Sequence, residues 1–81
     1  MKIELLSVPD CPNVAAARRL LRSCIADAGI DLEVVQAVGE FPSPTIRVNG
    51  RDVMGEVPPG AYCRLDLPTR EKVTAAINSA T

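Results

Sequence analysis

One pattern does most to limit the folds open to this chain: an apolar strand runs straight into a helix start, and a second strand follows that helix. Lys2–Val8 carries Ile3, Leu5, Leu6 and Val8 and ends at Pro9, which reads as a strand near the middle of a sheet. Pro9-Asp10-Cys11-Pro12 is a turn, and Pro12 suits a first helical turn, where its missing N–H costs little. Over Asn13–Ala28, Val14, Ala17, Leu21, Cys24 and Ala28 recur at three- and four-residue steps, while Arg18, Arg19, Arg22 and Asp27 fall mostly on the other side. Gly29 ends this helix at the left-handed cap position. Leu32–Val38 is a valine-rich second strand with apolar residues on both faces, so cover on both sides is expected. Strand, helix and strand in this order make a crossover joining two parallel strands.

Beyond Val38 the pattern shortens. Gly39–Pro44 reads as a loop, Thr45–Asn49 as a strand, Asn49-Gly50 as a type I′ turn and Arg51–Met54 as the returning strand. Gly55–Ala61, with Pro58, Pro59 and Gly60, reads as a loop. Pro68-Thr69 opens a final helix with Thr69 as N-cap and an apolar stripe of Val73, Ala76, Ile77 and Ala80. The order β-α-β-β-β-α predicts an α/β sandwich, a mixed four-stranded sheet with helices on its faces. With 81 residues there is material for one core, so residues 1–81 are expected to form a single domain.

Composition removes several functions. Nine basic and ten acidic residues give a formal charge of −1, which is no footprint for nucleic acid and no polybasic membrane patch. No apolar run is long enough for a membrane span, and Met1–Val8 is too short and too acidic for a signal peptide, so a cytoplasmic location is expected. The chain has no histidine, which rules out Ser-His-Asp and Cys-His pairs and histidine metal sites. Acid–base work falls to carboxylates, thiols, lysines or Tyr62. The three cysteines, Cys11, Cys24 and Cys63, are odd in number and widely spaced, which is neither a disulfide scaffold nor a zinc pattern. No cofactor is expected.

Cys11 stands out by placement. The first strand delivers it to the carboxyl end of the sheet, where open α/β folds place their sites. It directly precedes a helix, whose unpaired N–H groups carry roughly half a positive charge. A thiolate there is stabilised, so the thiol is expected to ionise below its free value of about 8.5. The neighbouring Asp10 carboxylate opposes this. The bland alternative is a small residue in a turn.

The run Pro9-Asp10-Cys11-Pro12-Asn13-Val14 between a strand and a helix, and Ser43-Pro44-Thr45 followed by a strand and Asn49-Gly50, resemble the active-site and cis-proline segments of the thioredoxin and glutaredoxin superfamily. The resemblance covers nearly the whole chain and points to a small bacterial single-domain member. It implies a thioredoxin-like fold, a cis Pro44 facing Cys11, backbone contacts from Ser43, and binding of extended peptide or glutathione at that place. Pro12 would border the same site. The chain departs from the dithiol members at Val14, which stands where they carry a second cysteine. Cys11 therefore acts alone, as in monothiol members, or draws on a distant thiol.

Cys63 follows a loop that returns toward Cys11, and a disulfide needs Cα atoms within about 7 Å. Pairing with Cys11 and packing beside Leu65 and Leu67 both remain open. Cys24 falls in the apolar stripe of the first helix and reads as core. Tyr62 either covers the site, donates a hydrogen bond there, or packs. Arg18, Arg19 and Arg22 read as a solvated face or an anion contact.

A second resemblance rests on Cys11-Pro12-Asn13, Ser43–Gly50 and Tyr62-Cys63-Arg64-Leu65, which look like short bacterial sequences labelled alkylmercury lyase. It implies two thiolates, Cys11 and Cys63, on a soft metal and Asp10 as proton donor. Three functions thus follow. The first is thiol–disulfide exchange or thiol-ligand binding, in which Cys11 forms a mixed disulfide with a protein or low-molecular-weight thiol or a larger redox partner, and Cys63 resolves it. The second is soft-metal or organomercurial handling. The third is a non-catalytic binding module on the same fold.

Overall fold

The computed structural model describes residues 1–55, 57–64 and 66–80. The elements are β1 (Ile3–Ser7), α1 (Val14–Asp27), β2 (Val35–Val38), β3 (Pro42–Ser43), β4 (Thr45–Val48), β5 (Arg51–Asp52), β6 (Tyr62–Cys63) and α2 (Arg70–Ala80). Four of the strands form a mixed sheet in the order β2-β1-β4-β5. β1 runs parallel to β2, with Leu5 opposite Gln36, and antiparallel to β4, with Leu5 opposite Ile46. The crossover through α1 explains the parallel pair, since parallel neighbours need such a connection. β4 and β5 are joined at Asn49-Gly50, whose φ angles of 52° and 82° are the left-handed pair that a tight hairpin turn requires.

The core follows from alternation. Ile3 and Leu5 on β1 and Ile46 and Val48 on β4 share one face of the sheet. They pack with Ala17, Leu21, Cys24 and Ile25 of α1 and Val73 and Ile77 of α2. Each fully buried Leu, Ile or Val contributes about 1.5–3 kcal/mol. Thr69 caps α2 as expected, its hydroxyl accepting from the Lys72 N–H at 3.2 Å.

Three expectations need correction. Both helices lie on the same face of the sheet and pack on each other, rather than covering its two faces. β2 begins at Val35, later than the sequence pattern indicates, and is an edge strand with Val35 49 % and Val38 67 % exposed. Valine fits the backbone of an edge strand as well as that of a buried one, so the run alone does not report its cover. The returning strand is only Arg51–Asp52; Val53 and Met54 belong to the turn after it.

The sequence gives no sign of the second, two-stranded sheet. β3 and β6 pair in parallel, Pro42 opposite Tyr62 and Ser43 opposite Cys63. Among the described residues, no helix is long and apolar enough to cross a membrane.

Candidate functional site

The site is built where three connections meet. β1 ends at Ser7, and the chain turns through Asp10, which is exposed and takes a left-handed φ of 61°. Cys11 follows at the amino end of α1, with its carbonyl accepting from the Val14 N–H at 3.4 Å. Only 8 % of Cys11 is exposed. Asn13, the residue before α1, makes no side-chain cap; its Nδ2 donates instead to the Arg64 carbonyl at 3.4 Å. No acidic residue stands in the first turn of α1.

Opposite Cys11 lies the Ser43–Pro44 segment. Its peptide bond is cis, and both residues are fully buried. The Ser43 carbonyl is a shared point. It accepts from the Arg64 N–H at 2.6 Å, and Cys11 Sγ lies 3.9 Å from it. The Ser43 hydroxyl makes no hydrogen bond although it is buried. What Ser43 offers its surroundings here is backbone.

β6 brings Cys63 to the same place. Cys11 and Cys63 are joined as a disulfide, with Cα atoms 6.0 Å apart and a separation of 52 positions in sequence. That separation lies inside the range a disulfide spans. Cys63 is exposed, in contrast to Cys11, and does not pack under the loop. Leu65, the neighbour expected in that alternative, lies outside the described residues, and Leu67 is exposed.

Arg64, absent from the site as read from sequence, holds this strand in place. It is 3 % exposed. Its Nη1 donates to Asp52 Oδ2 at 3.0 Å and to Thr45 Oγ1 at 3.5 Å, and Nε lies 3.7 Å from Asp66. Thr45 alternates with Ile46, so Arg64 lies on the sheet face opposite the helices. Thr45 in turn donates to the Pro42 carbonyl. The Arg64 guanidinium thus ties the end of β6 to β5 and β4, and its backbone N–H ties it to β3. Burial of an arginine demands partners of this kind.

The other sequence-selected residues fall further out. Tyr62 is exposed, and its hydroxyl donates to the Pro58 carbonyl at 2.8 Å, which ties the loop to itself rather than covering the disulfide. Pro12 is exposed beside Cys11. Cys24 is a free, buried thiol in the core, 3.9 Å from the Thr74 hydroxyl. Arg18 Nε donates to Gln36 at 3.0 Å and so belongs to the α1–β2 surface. Among the described residues, no group of three or more Cys, His, Asp or Glu is placed to hold a metal ion. A surface hollow lined by Val48, Arg51, Lys72 and Ala76 lies between the β4–β5 hairpin and α2, apart from both cysteines.

Two cysteines with Cα atoms 6.0 Å apart can cycle between disulfide and dithiol without further groups. No protein family, no curated protein and no solved structure matches the chain.

Proposed function

We propose that this chain is a thioredoxin-like thiol–disulfide exchange protein whose redox pair is Cys11 and Cys63, acting on a protein or low-molecular-weight thiol. The observation that carries the proposal is the juxtaposition of the two cysteines, with Cα atoms 6.0 Å apart across 52 residues of chain. Val14 leaves Cys11 without a local partner, and Cys63 supplies one from a distant part of the sequence. Delivery of Cys11 by a central strand to a helix start, and the Ser43 carbonyl beside its sulfur, further support the thioredoxin-like reading.

The exchange interconverts two states. The oxidised protein takes two electrons from a partner dithiol, which becomes a disulfide, and its own disulfide becomes two thiols. The reverse reaction reduces a partner disulfide. The ties of Arg64 keep Cys63 near Cys11 after the bond opens, so the pair is set to close again.

The test is stoichiometric. Oxidised protein mixed with a dithiol peptide is expected to yield one peptide disulfide per chain and new thiols at Cys11 and Cys63, identified by alkylation and peptide mapping. Cys11→Ser and Cys63→Ser are each expected to abolish the reaction. Peptide oxidation that persists in both variants would overturn the proposal.

A further inference from the structure

The sequence suggests that Cys11 meets the partner and Cys63 resolves. We infer the opposite order: Cys63 is the sulfur that a partner thiol attacks, and Cys11 is the sulfur that leaves and later closes the pair. The inference rests on the exchange function proposed above and assigns the two roles within it.

Access sets the order. Thiol–disulfide exchange needs the incoming sulfur to reach one sulfur along the S–S axis, so a buried sulfur is shielded from attack. Cys11 is 8 % exposed, enclosed between the start of α1 and the Ser43–Pro44 segment. Cys63 is exposed, on a two-residue strand whose neighbour Tyr62 is exposed as well. Only the Cys63 side of the bond presents itself to a macromolecular partner.

The step balances as follows. A partner thiol loses its proton to solvent, and its thiolate attacks Cys63 Sγ. A bond forms between partner sulfur and Cys63, the Cys11–Cys63 bond breaks, and its electron pair stays on Cys11 as a thiolate. A second thiolate of the partner then attacks the partner sulfur of the mixed disulfide and expels Cys63 as a thiolate. The partner's second thiol likewise gives its proton to solvent, Cys11 and Cys63 each take one up, the partner is oxidised to a disulfide and the protein is reduced to a dithiol.

Trapping decides the assignment. Oxidised protein is mixed with reduced glutathione, quenched in acid, and the glutathione-bearing peptide is identified by mass spectrometry. Adduct on Cys63 in about tenfold or greater excess over Cys11 is expected. Adduct mainly on Cys11 overturns the assignment while leaving the exchange reading intact. An intact disulfide with no adduct under excess thiol overturns the exchange reading, and the assignment falls with it. If the disulfide opens but the adduct is too short-lived to trap, the single-cysteine variants decide. Glutathione disulfide is expected to add to Cys63 of the Cys11→Ser chain about tenfold faster than to Cys11 of the Cys63→Ser chain, and the reverse order contradicts the assignment.

Discussion

Arg64 donates to Asp52 across 3.0 Å with both side chains almost fully buried, and Arg64 is the residue that follows Cys63. The ion pair therefore fixes the strand that carries one half of the disulfide. Its partner Asp52 stands on β5, at the far edge of the main sheet, so the position of Cys63 depends on the hairpin as well as on β3.

Removal of one member of a buried pair leaves the other charged and without its partner, which costs about 3–5 kcal/mol. Arg64→Met is expected to lose about 3 kcal/mol or more, measured by urea unfolding. Adding Asp52→Asn to Arg64→Met is expected to restore part of that loss, because the orphaned carboxylate is gone. The more distant Asp66 is exposed and is expected to contribute little, about 0–1 kcal/mol. A single Arg64 variant within about 1 kcal/mol of the parent would show that the ion pair is not what fixes β6.

Opening the disulfide also has a readable cost. Joining residues 52 apart removes loop-closure entropy from the unfolded chain, worth about 4 kcal/mol on the chain-entropy relation. Reduction with dithiothreitol is expected to lower the unfolding free energy by about that amount without changing the helical circular dichroism. A shift of less than about 1 kcal/mol would mean that the cross-link constrains the unfolded chain far less than this relation requires.

The contrast between the two cysteines shows how far the sequence was legible. Cys11 was readable because its signals are local: an apolar strand, a proline-bounded turn and a helix of regular period meet there. The α1 stripe of Ala17, Leu21 and Cys24 appears in the core as expected. Cys63 was readable only as a loop residue within reach. The strand that carries it is two residues long and pairs with Pro42–Ser43 some twenty residues earlier, so no period marks it. Arg64 enters the sequence reading only within Tyr62-Cys63-Arg64-Leu65 and receives no role there, because arginine is ordinarily exposed. The one available hint was its position between the cysteine and Asp66. The valine run of β2 misled for a related reason: branching at Cβ favours a strand and does not say which face is covered.

Ser43 separates backbone from side-chain roles. Its carbonyl serves Arg64 and lies against Cys11, whereas its buried hydroxyl has no partner. Ser43→Ala removes that unpaired group and is expected to leave stability unchanged or raise it by about 1 kcal/mol, with exchange retained. A loss of more than about 1 kcal/mol, or loss of exchange, would assign the hydroxyl a function.

Cys24 offers the complementary control. It is buried among the helices and lies in the core cluster, apart from the disulfide. Cys24→Ala is expected to lose about 1 kcal/mol through lost packing while thiol exchange proceeds at the parent rate. Abolished exchange in a folded Cys24→Ala chain would place the third thiol in the redox cycle.

The central claim, that Cys11 and Cys63 act as one redox pair, is tested most directly by equilibrium in glutathione buffers of graded ratio, with the state of each cysteine read by alkylation and peptide mapping. A single transition is predicted, in which both cysteines change together and the ratio of oxidised to reduced protein varies as glutathione disulfide over the square of reduced glutathione, as an intramolecular disulfide requires. Separate transitions, or one cysteine that alkylates under every condition while the other changes, would contradict it.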